Sequence, residues 1–371
     1  MRKMKKRFIV TPWEVKGEFE EADYARLIKE FGTQKLDDKL IAKLKKYTKD
    51  LHYLLRRKIF LSHRNLDWLL DEYAKGNKFF LYTGRGPSGN IHIGHLVPWI
   101  FAKWLQDKFN CNLYFQFTDD EKFLFNPKLS LEDTKKYSYE NALDVIALGF
   151  KKSKTKFIID TENIKLLYPT ALKIAKRLTF STTKAVFGFN NATNVGSIFF
   201  TSVQSAPCFI EDKPCLIPLA IDQDPHFRIT RDIAPRIGLR KPAIIHCKFL
   251  PGLGKDGKMS ASQPETCIFT IDKPSTVKKK IMNAFTGGRE SLEKQKQLGG
   301  NPAVCSVYSY FFFFDPNDAQ VKARYNKCKQ GKIFCKQCKA QLVKLVNSFL
   351  RKHQKARQAA KKKLSKFLLK D

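Results

Sequence analysis

The feature that most constrains the fold of this chain is a run of short apolar segments that alternate with helical patterns. Five segments are apolar, bounded by turn residues and short enough to be buried strands: 78–83, 112–119, 156–160, 215–222 and 242–247. A helical pattern covers 92–109, between the first two segments, and another ends at Gly149. Strands that alternate with helices predict a parallel α/β sheet with crossover helices, in which ligands bind at the carboxyl ends of the strands.

The segments on either side of this run have a different pattern. Residues 18–76 are helical in their apolar spacing, with stops at Gly32 and Gly76, and strand signals fade again after residue 272. We therefore predict three parts: a mostly helical segment packed on the core over 1–76, a sheet domain over 77–272 and a helical domain over 273–371.

The chain is strongly basic. It has 69 Lys and Arg against 35 Asp and Glu, a formal charge of +34, and residues 316–371 alone carry +15. A charge concentrated in this way favours a polyanionic partner, of which nucleic acid is the commonest. The alternative is a base composition that inflates lysine throughout a proteome, and the sequence leaves it open for the rest of the chain.

Other features of the sequence concern the compartment in which the protein works. No apolar run approaches the ~18 residues of a membrane span, and the basic start MRKMKKRF is not followed by an apolar signal core. The nine cysteines are odd in number and scattered, which favours reduced thiols over a disulfide framework. We therefore expect a cytoplasmic protein with no membrane partner.

A glycine-rich loop, residues 82–95, joins the first predicted strand to its helix and reads YTGRGPSGNIHIGH. Free backbone N–H groups at a helix start favour phosphate, and glycines permit positive φ and close approach of a ligand. Gly84, Gly86 and Gly89 fit the G-x-G-x-x-G pattern of dinucleotide-binding oxidoreductases, but Pro87 interrupts it and no acidic residue follows at the ribose-binding distance. A Walker A loop is excluded, because no Lys-Ser or Lys-Thr pair follows these glycines.

Two signatures separated by 166 positions identify the nucleotide site more specifically. His92–His95 reads HIGH, which places two imidazoles on the first helical turn with Gly94 between them. Lys258–Ser262 reads KMSAS and follows GLGKDG, so that a cation stands beside a glycine-rich hinge, as its delivery to a triphosphate requires. Either motif alone is an ordinary feature, but together at these places they resemble the signatures of class I aminoacyl-tRNA synthetases.

Further segments narrow the resemblance to tryptophanyl-tRNA synthetases of the eukaryotic and archaeal type. It extends from TPWEV to TGGRESLEKQKQLGGN and includes QFTDDEKF, ENALDVIALGF and AIDQDPHFRITRDIAPRIG. The connection from Cys208 to Cys215 is shorter than relatives often have, and the CKQC segment at 335–338 is not part of the resemblance. The resemblance thus covers nearly the whole chain and leaves that segment unexplained.

The resemblance implies a Rossmann-type parallel-sheet catalytic domain over 77–272, a helical anticodon-binding domain over 273–371 and an obligate homodimer. It also implies that L-tryptophan, ATP and tRNA(Trp) react to give Trp-tRNA(Trp), AMP and pyrophosphate, with Mg²⁺ accompanying ATP and no metal site built from side chains. An editing domain is not expected, because the sheet uses most of the length between the signatures. Smaller amino acids also leave unfilled volume in a tryptophan pocket, so that binding alone can reject them.

The resemblance further assigns roles to individual residues. An indole N–H is only a donor and needs acceptors, which Tyr82 and Gln116 are expected to supply, while Glu121, Gln204 and Gln223 bind the substrate ammonium. ATP binding falls to glycines and basic residues of the two signatures and to one aspartate expected on the ribose: Gly84, Arg85, His92, Gly94, His95, Asp222, Lys258, Met259 and Ser260. The expected catalytic residues are Lys258, Arg85, His92 and His95, and Lys122 is a weaker phosphate candidate.

The activation step needs no general base, because the substrate carboxylate is already ionised. Positioning and charge neutralisation by Lys258, Arg85 and Mg²⁺ should therefore supply the catalysis. Two other functions remain as alternatives. A tyrosyl-tRNA synthetase would need a donor and an acceptor for a phenol at the base of the pocket, and an inactive paralogue would bind RNA through the basic tail alone.

The helical domain holds two further sets of candidates. Arg289 and Glu290 match the anticodon-contacting region of the family, where Asp is usual in place of Glu290. Cys335 and Cys338, with Cys328 nearby, could be part of a zinc site, but one CxxC without a partner pair predicts plain thiols.

Overall fold

The computed structural model describes residues 9–10, 15–16, 21–255, 259 and 263–370. The strands in these residues are β1 (Ile9–Val10), β2 (Val15–Lys16), β3 (Gln34–Lys35), β4 (Phe60–Arg64), β5 (Phe80–Arg85), β6 (Leu113–Phe117), β7 (Thr155–Ile159), β8 (Cys215–Ala220) and β9 (Ala243–Cys247). The α-helices are α1 (Glu21–Phe31), α2 (Asp38–Thr48), α3 (Tyr53–Arg56), α4 (Leu66–Ala74), α5 (Leu96–Phe109), α6 (Asp119–Phe125), α7 (Leu131–Ala147), α8 (Ile164–Ala175), α9 (Phe180–Phe187), α10 (Val195–Ser205), α11 (Asp224–Ile233), α12 (Pro274–Met282), α13 (Leu292–Leu298), α14 (Ser306–Phe314), α15 (Asp318–Lys329) and α16 (Cys335–Ala360). None of the helices in this part of the chain is long and apolar enough to cross a membrane.

One sheet organises the larger part of the molecule. In the described residues it has seven strands in the order β3-β4-β9-β8-β5-β6-β7, while β1 and β2 form a separate antiparallel pair. The strands from β5 to β9 run parallel to one another, which confirms the predicted α/β sheet and its five predicted strands. The predominance of helices after α12 confirms the expected helical region.

The edge formed by β3 and β4 was not predicted, because the N-terminal segment reads as helical. β4 pairs antiparallel with β9, yet its second half is polar. These polar side chains find partners inside the protein: Ser62 Oγ lies 3.0 Å from His246 Nδ1, and Arg64 Nε and Nη2 each donate to Asp224 at 2.7 Å. The partners of these polar residues lie more than a hundred positions later in the sequence. The local sequence of β4 therefore does not predict a buried strand.

The order of the strands creates an opening between β5 and β8. From β5 the chain crosses to β6 and β7 on one side and then returns to β8 and β9 on the other. β5 and β8 pair only at Phe80–Cys215 and Leu81–Leu216, whereas β5 and β6 pair over five positions. Pairing is thus lost toward the carboxyl ends of β5 and β8, at the switch point where open α/β sheets bind their ligands.

The parallel strands are buried on both faces, largely among aromatic side chains. Every residue of β9 and nearly all of β7 and β8 are buried. Phe157 of β7 meets Phe117 of β6 edge-on, with 5.5 Å between ring centroids, and Phe101 of α5 stacks on Phe60 of β4 at 3.8 Å. Burial of such rings supplies the apolar area that holds a chain of high net charge together.

Helix α16 connects the helical region to the sheet domain through α7. His353 Nε2 lies 2.8 Å from Asp144 Oδ1, and Arg357 Nε donates to Asp144 Oδ2 at 3.1 Å. One turn earlier on α7, Asn141 Nδ2 donates to the main-chain oxygen of Gly89 at 3.0 Å. α7 therefore contacts both α16 and the glycine-rich loop.

Residues that follow α16 cover the β7 edge of the sheet. Phe157 N donates to the main-chain oxygen of Phe367, and Leu369 N donates to that of Phe157, both at 2.8 Å. An exposed sheet edge can pair with another chain, and here part of that edge is occupied by the protein itself.

Candidate active site

A cavity of about 360 Å³ lies at the opening between β5 and β8. Twelve of the residues predicted for the amino acid and for ATP line it: Tyr82, Gly84, Arg85, His92, Gly94, His95, Gln116, Glu121, Gln204, Asp222, Gln223 and Met259. Lys258 and Ser260 lie outside the described residues. Arg289 and Glu290 are exposed in the helical region and are not part of the cavity. The structure thus brings the HIGH signature and the predicted amino-acid pocket together.

The base of the cavity is a series of buried hydrogen bonds that starts at Tyr82. The Tyr82 hydroxyl lies 2.5 Å from Gln116 Oε1 and 3.0 Å from the main-chain oxygen of Gln204, and its single hydrogen can be donated to only one of them at a time. Gln116 Nε2 donates to both carboxyl oxygens of Asp160, at 2.8 and 2.9 Å. Gln204 Oε1 is buried and has no hydrogen-bond partner among the described residues. The base therefore presents acceptors, and the donors of Tyr82 and Gln116 are occupied.

Asp160 and Asp120 form an acid pair behind Gln116 that was not predicted; Asp160 is buried and Asp120 is half-buried. Burial and the carboxyl of Asp120 raise the pKa of Asp160 well above its usual range. Burial raises the pKa of Asp120 to about 7, and the two carboxyl groups are hydrogen-bonded. Two neighbouring carboxyl groups favour holding a proton between them, and the pair still offers oxygen acceptors to Gln116. The signal that could have found it is that Asp120 and Asp160 follow the carboxyl ends of two neighbouring strands.

Glu121 is a carboxylate held beside the glycine-rich loop. Lys122 Nζ donates to Glu121 Oε1, and Thr118 Oγ1 donates to Oε2 at 2.5 Å. Burial alone would raise the pKa of Glu121, but the Lys122 ammonium and the Thr118 hydroxyl hold it below its ordinary value. The absence of a side chain at Gly86 makes room for this pair, because a Cβ there would lie 2.6 Å from Glu121 Oε2. Glu121 therefore brings a negative charge to this side of the cavity.

The other end of the cavity is basic. Arg85 Nη1 lies 2.9 Å from His95 Nε2, a contact that needs an uncharged ring with Nε2 as the acceptor. Burial lowers the pKa of Arg85 to about 10, so the guanidinium is charged at neutral pH. Its Nε is buried and has no hydrogen-bond partner in the part of the chain that the structure describes. A cation with an unused donor is suited to a phosphate group.

The HIGH segment shapes this basic end through close packing. His92 lies just before a 3-10 turn, Ile93–His95, that leads into α5, and the His92 and His95 rings stack with 3.5 Å between centroids. A Cβ at Gly94 would lie 3.0 Å from His92 Nδ1, so a side chain there would crowd the imidazole. Of the loop glycines only Gly89 has a positive φ, 149°. Close approach, more than positive φ, therefore accounts for the glycines of this loop.

The ends of β8 and β9 supply the remaining polar groups. Asp222 and Gln223 lie in a 3-10 turn directly after β8, and Gln223 Nε2 donates to Asp222 Oδ2 at 3.3 Å. Lys248 follows β9 and was not predicted; it is buried, lines the cavity, and places its ammonium 5.3 Å from the centroid of the Tyr24 ring. Its signal in the sequence is that it is the first charged residue after a buried strand whose end faces the site.

Comparison with known proteins agrees with this arrangement. Residues 74–351 match the family described as class I tRNA synthetases (W and Y). The chain is 50% identical to the tryptophan–tRNA ligase of Pyrobaculum calidifontis over 99% of both chains. It is 51% identical to that of Thermococcus kodakarensis, over 97% of this chain and 94% of the relative. It superposes on the crystal structure of Plasmodium falciparum tryptophanyl-tRNA synthetase with a TM-score of 0.88 and 38% identity, over 93% of this chain and 97% of the other. A switch-point cavity with acceptors at its base and a basic HIGH segment at its other end, in a chain with these relatives, places the protein in the tryptophanyl-tRNA synthetase family.

Proposed function

We propose that the chain activates L-tryptophan with ATP and transfers the tryptophanyl group to tRNA(Trp), with release of AMP and pyrophosphate. The observation that carries this proposal is the cavity itself, whose base presents hydrogen-bond acceptors and whose other end holds the charged Arg85. The archaeal relatives support it, since this chain matches two tryptophan–tRNA ligases over nearly their whole length.

The indole is recognised at the base of the cavity. When the Tyr82 hydroxyl donates to Gln204, the indole N–H donates to Gln116 Oε1. When the hydroxyl donates to Gln116, the indole N–H donates to the Tyr82 oxygen. A tyrosine phenol would also have to accept a hydrogen bond there, but the Gln116 N–H groups donate to Asp160 and the Tyr82 hydroxyl donates to Gln116 or Gln204. This arrangement favours tryptophan over tyrosine as the substrate.

The ammonium of tryptophan is held by oxygen atoms around the same pocket. The Glu121 carboxylate and the unpaired Gln204 Oε1 are suited to a cation, and Gln223 lines the same cavity. The substrate carboxylate then faces the basic end of the cavity.

ATP binds between the HIGH segment and the end of β8. Arg85, His92, His95 and the KMSAS lysine, Lys258, contact the phosphates, with Lys122 a weaker candidate for the same role. Adenosine lies against the backbone of Gly84 and Gly94, Asp222 binds the ribose, and Met259 and Ser260 accompany Lys258.

The chemistry is an in-line displacement followed by an acyl transfer. The ionised carboxylate of tryptophan attacks the α-phosphorus of ATP, and pyrophosphate leaves with its electron pair. Arg85 and Lys258 neutralise the charge that develops on the phosphates, and no side chain has to remove a proton. In the second step the tRNA 2′-hydroxyl attacks the carbonyl of the adenylate, AMP leaves with the electron pair of the broken C–O bond, and the hydroxyl proton is released to solvent.

Mg²⁺ accompanies ATP in this proposal. Within the described part of the chain, no three His, Cys, Asp or Glu side chains are arranged to hold a single metal ion. Mg²⁺ usually keeps several waters and takes much of its coordination from substrate phosphates, so the ion fits here as a ligand of ATP that supplies charge neutralisation. The steps above depend on the side chains alone.

The parts of the chain divide this work between them. We assign catalysis to 77–272 with support from 1–76, and anticodon binding to 273–371, where Arg289 and Glu290 are exposed and the basic tail supplies positive charge for tRNA. We further propose a homodimer. We place the reaction in the cytoplasm, since none of the nine cysteines forms a disulfide, as is usual in a reducing compartment.

The decisive experiment is ATP–pyrophosphate exchange measured with each of the twenty amino acids. Exchange with tryptophan alone is the expected result. Exchange with tyrosine and none with tryptophan would identify a tyrosyl-tRNA synthetase, and the absence of exchange with every amino acid would leave an RNA-binding paralogue. Exchange of the same rate with several small amino acids would contradict selection by binding without an editing domain.

A further inference from the structure

Four cysteines of the helical region line one small cavity, although they come from three different helices. Cys305 is the N-cap residue of α14, Cys328 lies in the last turn of α15, and Cys335 and Cys338 lie in the first turn of α16. None of them forms a disulfide. The CKQC segment, which the sequence analysis expected to hold plain thiols for want of a partner pair, therefore has two further cysteines beside it.

The backbone around this cavity is fitted to the sulfur atoms. A Cβ at Gly288 would lie 2.7 Å from Cys335 Sγ, and one at Gly300 would lie 2.9 Å from Cys328 Sγ. Gly300 N also donates to the main-chain oxygen of Cys328 at 2.9 Å. Because Gly288 and Gly300 have no side chains, the backbone between α12 and α14 can lie close against these two sulfur atoms.

Two positive groups, the guanidinium of Arg324 and the N-terminus of α16, face the cavity. Arg324 lines it, its guanidinium contacts Cys338, and its Nε is buried without a hydrogen-bond partner in the residues that the structure describes. Cys335 and Cys338 also stand at the positive end of α16, a helix of 26 residues. Burial keeps the free thiols protonated, and these two positive groups would stabilise the thiolates once a metal centre has replaced their protons.

The spacing of the cysteines indicates the kind of centre. Zinc sites made of four cysteines use two close pairs, each with two to four residues between the ligands, whereas here only Cys335 and Cys338 form such a pair. In one class of iron–sulfur protein a single CxxC has a third cysteine a few residues upstream and a fourth far away. Cys328, seven positions before Cys335, takes the place of the third cysteine, and Cys305 is the distant fourth, here on the upstream side of the group. In the described residues no three such side chains are close enough to hold a single ion, and the ligands of a multinuclear cluster stand farther apart than those of one ion.

We propose that Cys305, Cys328, Cys335 and Cys338 ligate an iron–sulfur cluster in the helical region. The cavity is small, about 20 Å³, so the cluster binds with the sulfurs of the half-buried Cys328, Cys335 and Cys338 rotated outward. Its role is structural: it joins α14, α15 and α16 to one another, and no electron transfer is invoked.

The test is the metal content of the full chain, purified without oxygen and then reconstituted with ferrous iron and sulfide. We expect about two to four irons, an equal amount of acid-labile sulfide and the visible absorption of a cluster. Serine at any one of the four positions should lower bound iron about tenfold or more, whereas Cys111→Ala, at a buried cysteine outside the cavity, should leave it unchanged.

Other outcomes of this experiment would overturn the proposal. One zinc per chain without sulfide would refute the cluster. A chain that takes up neither metal after reconstitution would also refute it, and this measurement needs no variant. Iron retained at the full level in both Cys305→Ser and Cys328→Ser would refute the assignment of the ligands. Because iron content is independent of amino-acid activation, failure of the exchange assay would count against the proposed reaction and leave the cluster standing.

Discussion

Replacing Asp160 with leucine tests whether a residue out of reach of the substrate fixes its recognition. Asp160 accepts both hydrogen bonds from Gln116 Nε2, at 2.8 and 2.9 Å, and thereby fixes which end of the Gln116 amide faces Tyr82. Leucine fills a similar volume and accepts nothing. The N–H groups of Gln116 then remain buried without partners, or the amide turns over and presents N–H to the indole N–H.

The magnitude follows from the cost of that mismatch. When the amide turns over, the indole N–H is buried on binding without an acceptor, and a buried donor left without a partner costs about 1–3 kcal/mol. That cost corresponds to about 5- to 150-fold in kcat/KM for tryptophan. Asp160→Asn is the matched control. Its Oδ1 can accept from Gln116 while its N–H groups donate to Asp120, so kcat/KM should stay within about threefold of the unmodified chain.

The assay is tryptophan-dependent ATP–pyrophosphate exchange, with the KM for ATP as an internal standard and thermal unfolding as a check on folding. A loss confined to kcat/KM for tryptophan, restored by asparagine, is the expected pattern. An Asp160→Leu variant with unchanged kcat/KM would refute the reasoning. So would an equal loss in Asp160→Asn, because the amide orientation would then not be what matters.

Three further predictions concern charge. Lys258→Ala should slow adenylate formation by about 100- to 1,000-fold with little change in tryptophan affinity, because its cation acts on charge that develops in the transition state; an equal loss in tryptophan binding, measured by calorimetry, would exclude that role. Burial raises the pKa of Asp120 to about 7 from an ordinary value near 3.8, so the native state binds the extra proton and this contribution to stability is lost as pH rises from about 4 to about 7. The Tm of the unmodified chain should therefore fall relative to Asp120→Asn over that range, and parallel Tm curves would contradict the assignment. Arg64→Ala removes one of the two partners of the buried Asp224 and leaves the contact with His246, so it should lower the free energy of unfolding in urea by about 3 kcal/mol, the lower end of the range for a broken buried pair. Arg240→Ala breaks an exposed pair and should have little effect; equal effects of the two would contradict the burial argument.

The sheet could be predicted from the sequence where burial is local and continuous. Each of β5 to β9 is an apolar run, and the loop that carries Gly84 and His92 joins β5, the first of the five parallel strands along the chain, to its helix as predicted. β4 could not be found in this way, because Ser62 and Arg64 are compatible with a buried strand only once His246 and Asp224 are beside them.

Some residues of the cavity could likewise be predicted from the sequence, and others could not. The residues that belong to a motif, such as Gln116 and Asp222, could be assigned from the sequence and do line the cavity. Asp120, Asp160 and Lys248 could not, because their position depends on which strand ends converge. The clustering of Cys305 and Cys328 with the CKQC segment is likewise a product of helix packing, since no periodicity relates these positions.

The length of helix α16 links movements at two distant parts of the molecule. Its 26 residues make a rod about 39 Å long. One end borders the four-cysteine cavity, and the other is held through His353 and Arg357 to α7, which also contacts the loop at Gly89. A tilt of about 5° about the first end would displace the second by about 3 Å. A rod of this length converts a small rotation at one site into a displacement as long as a hydrogen bond at the other.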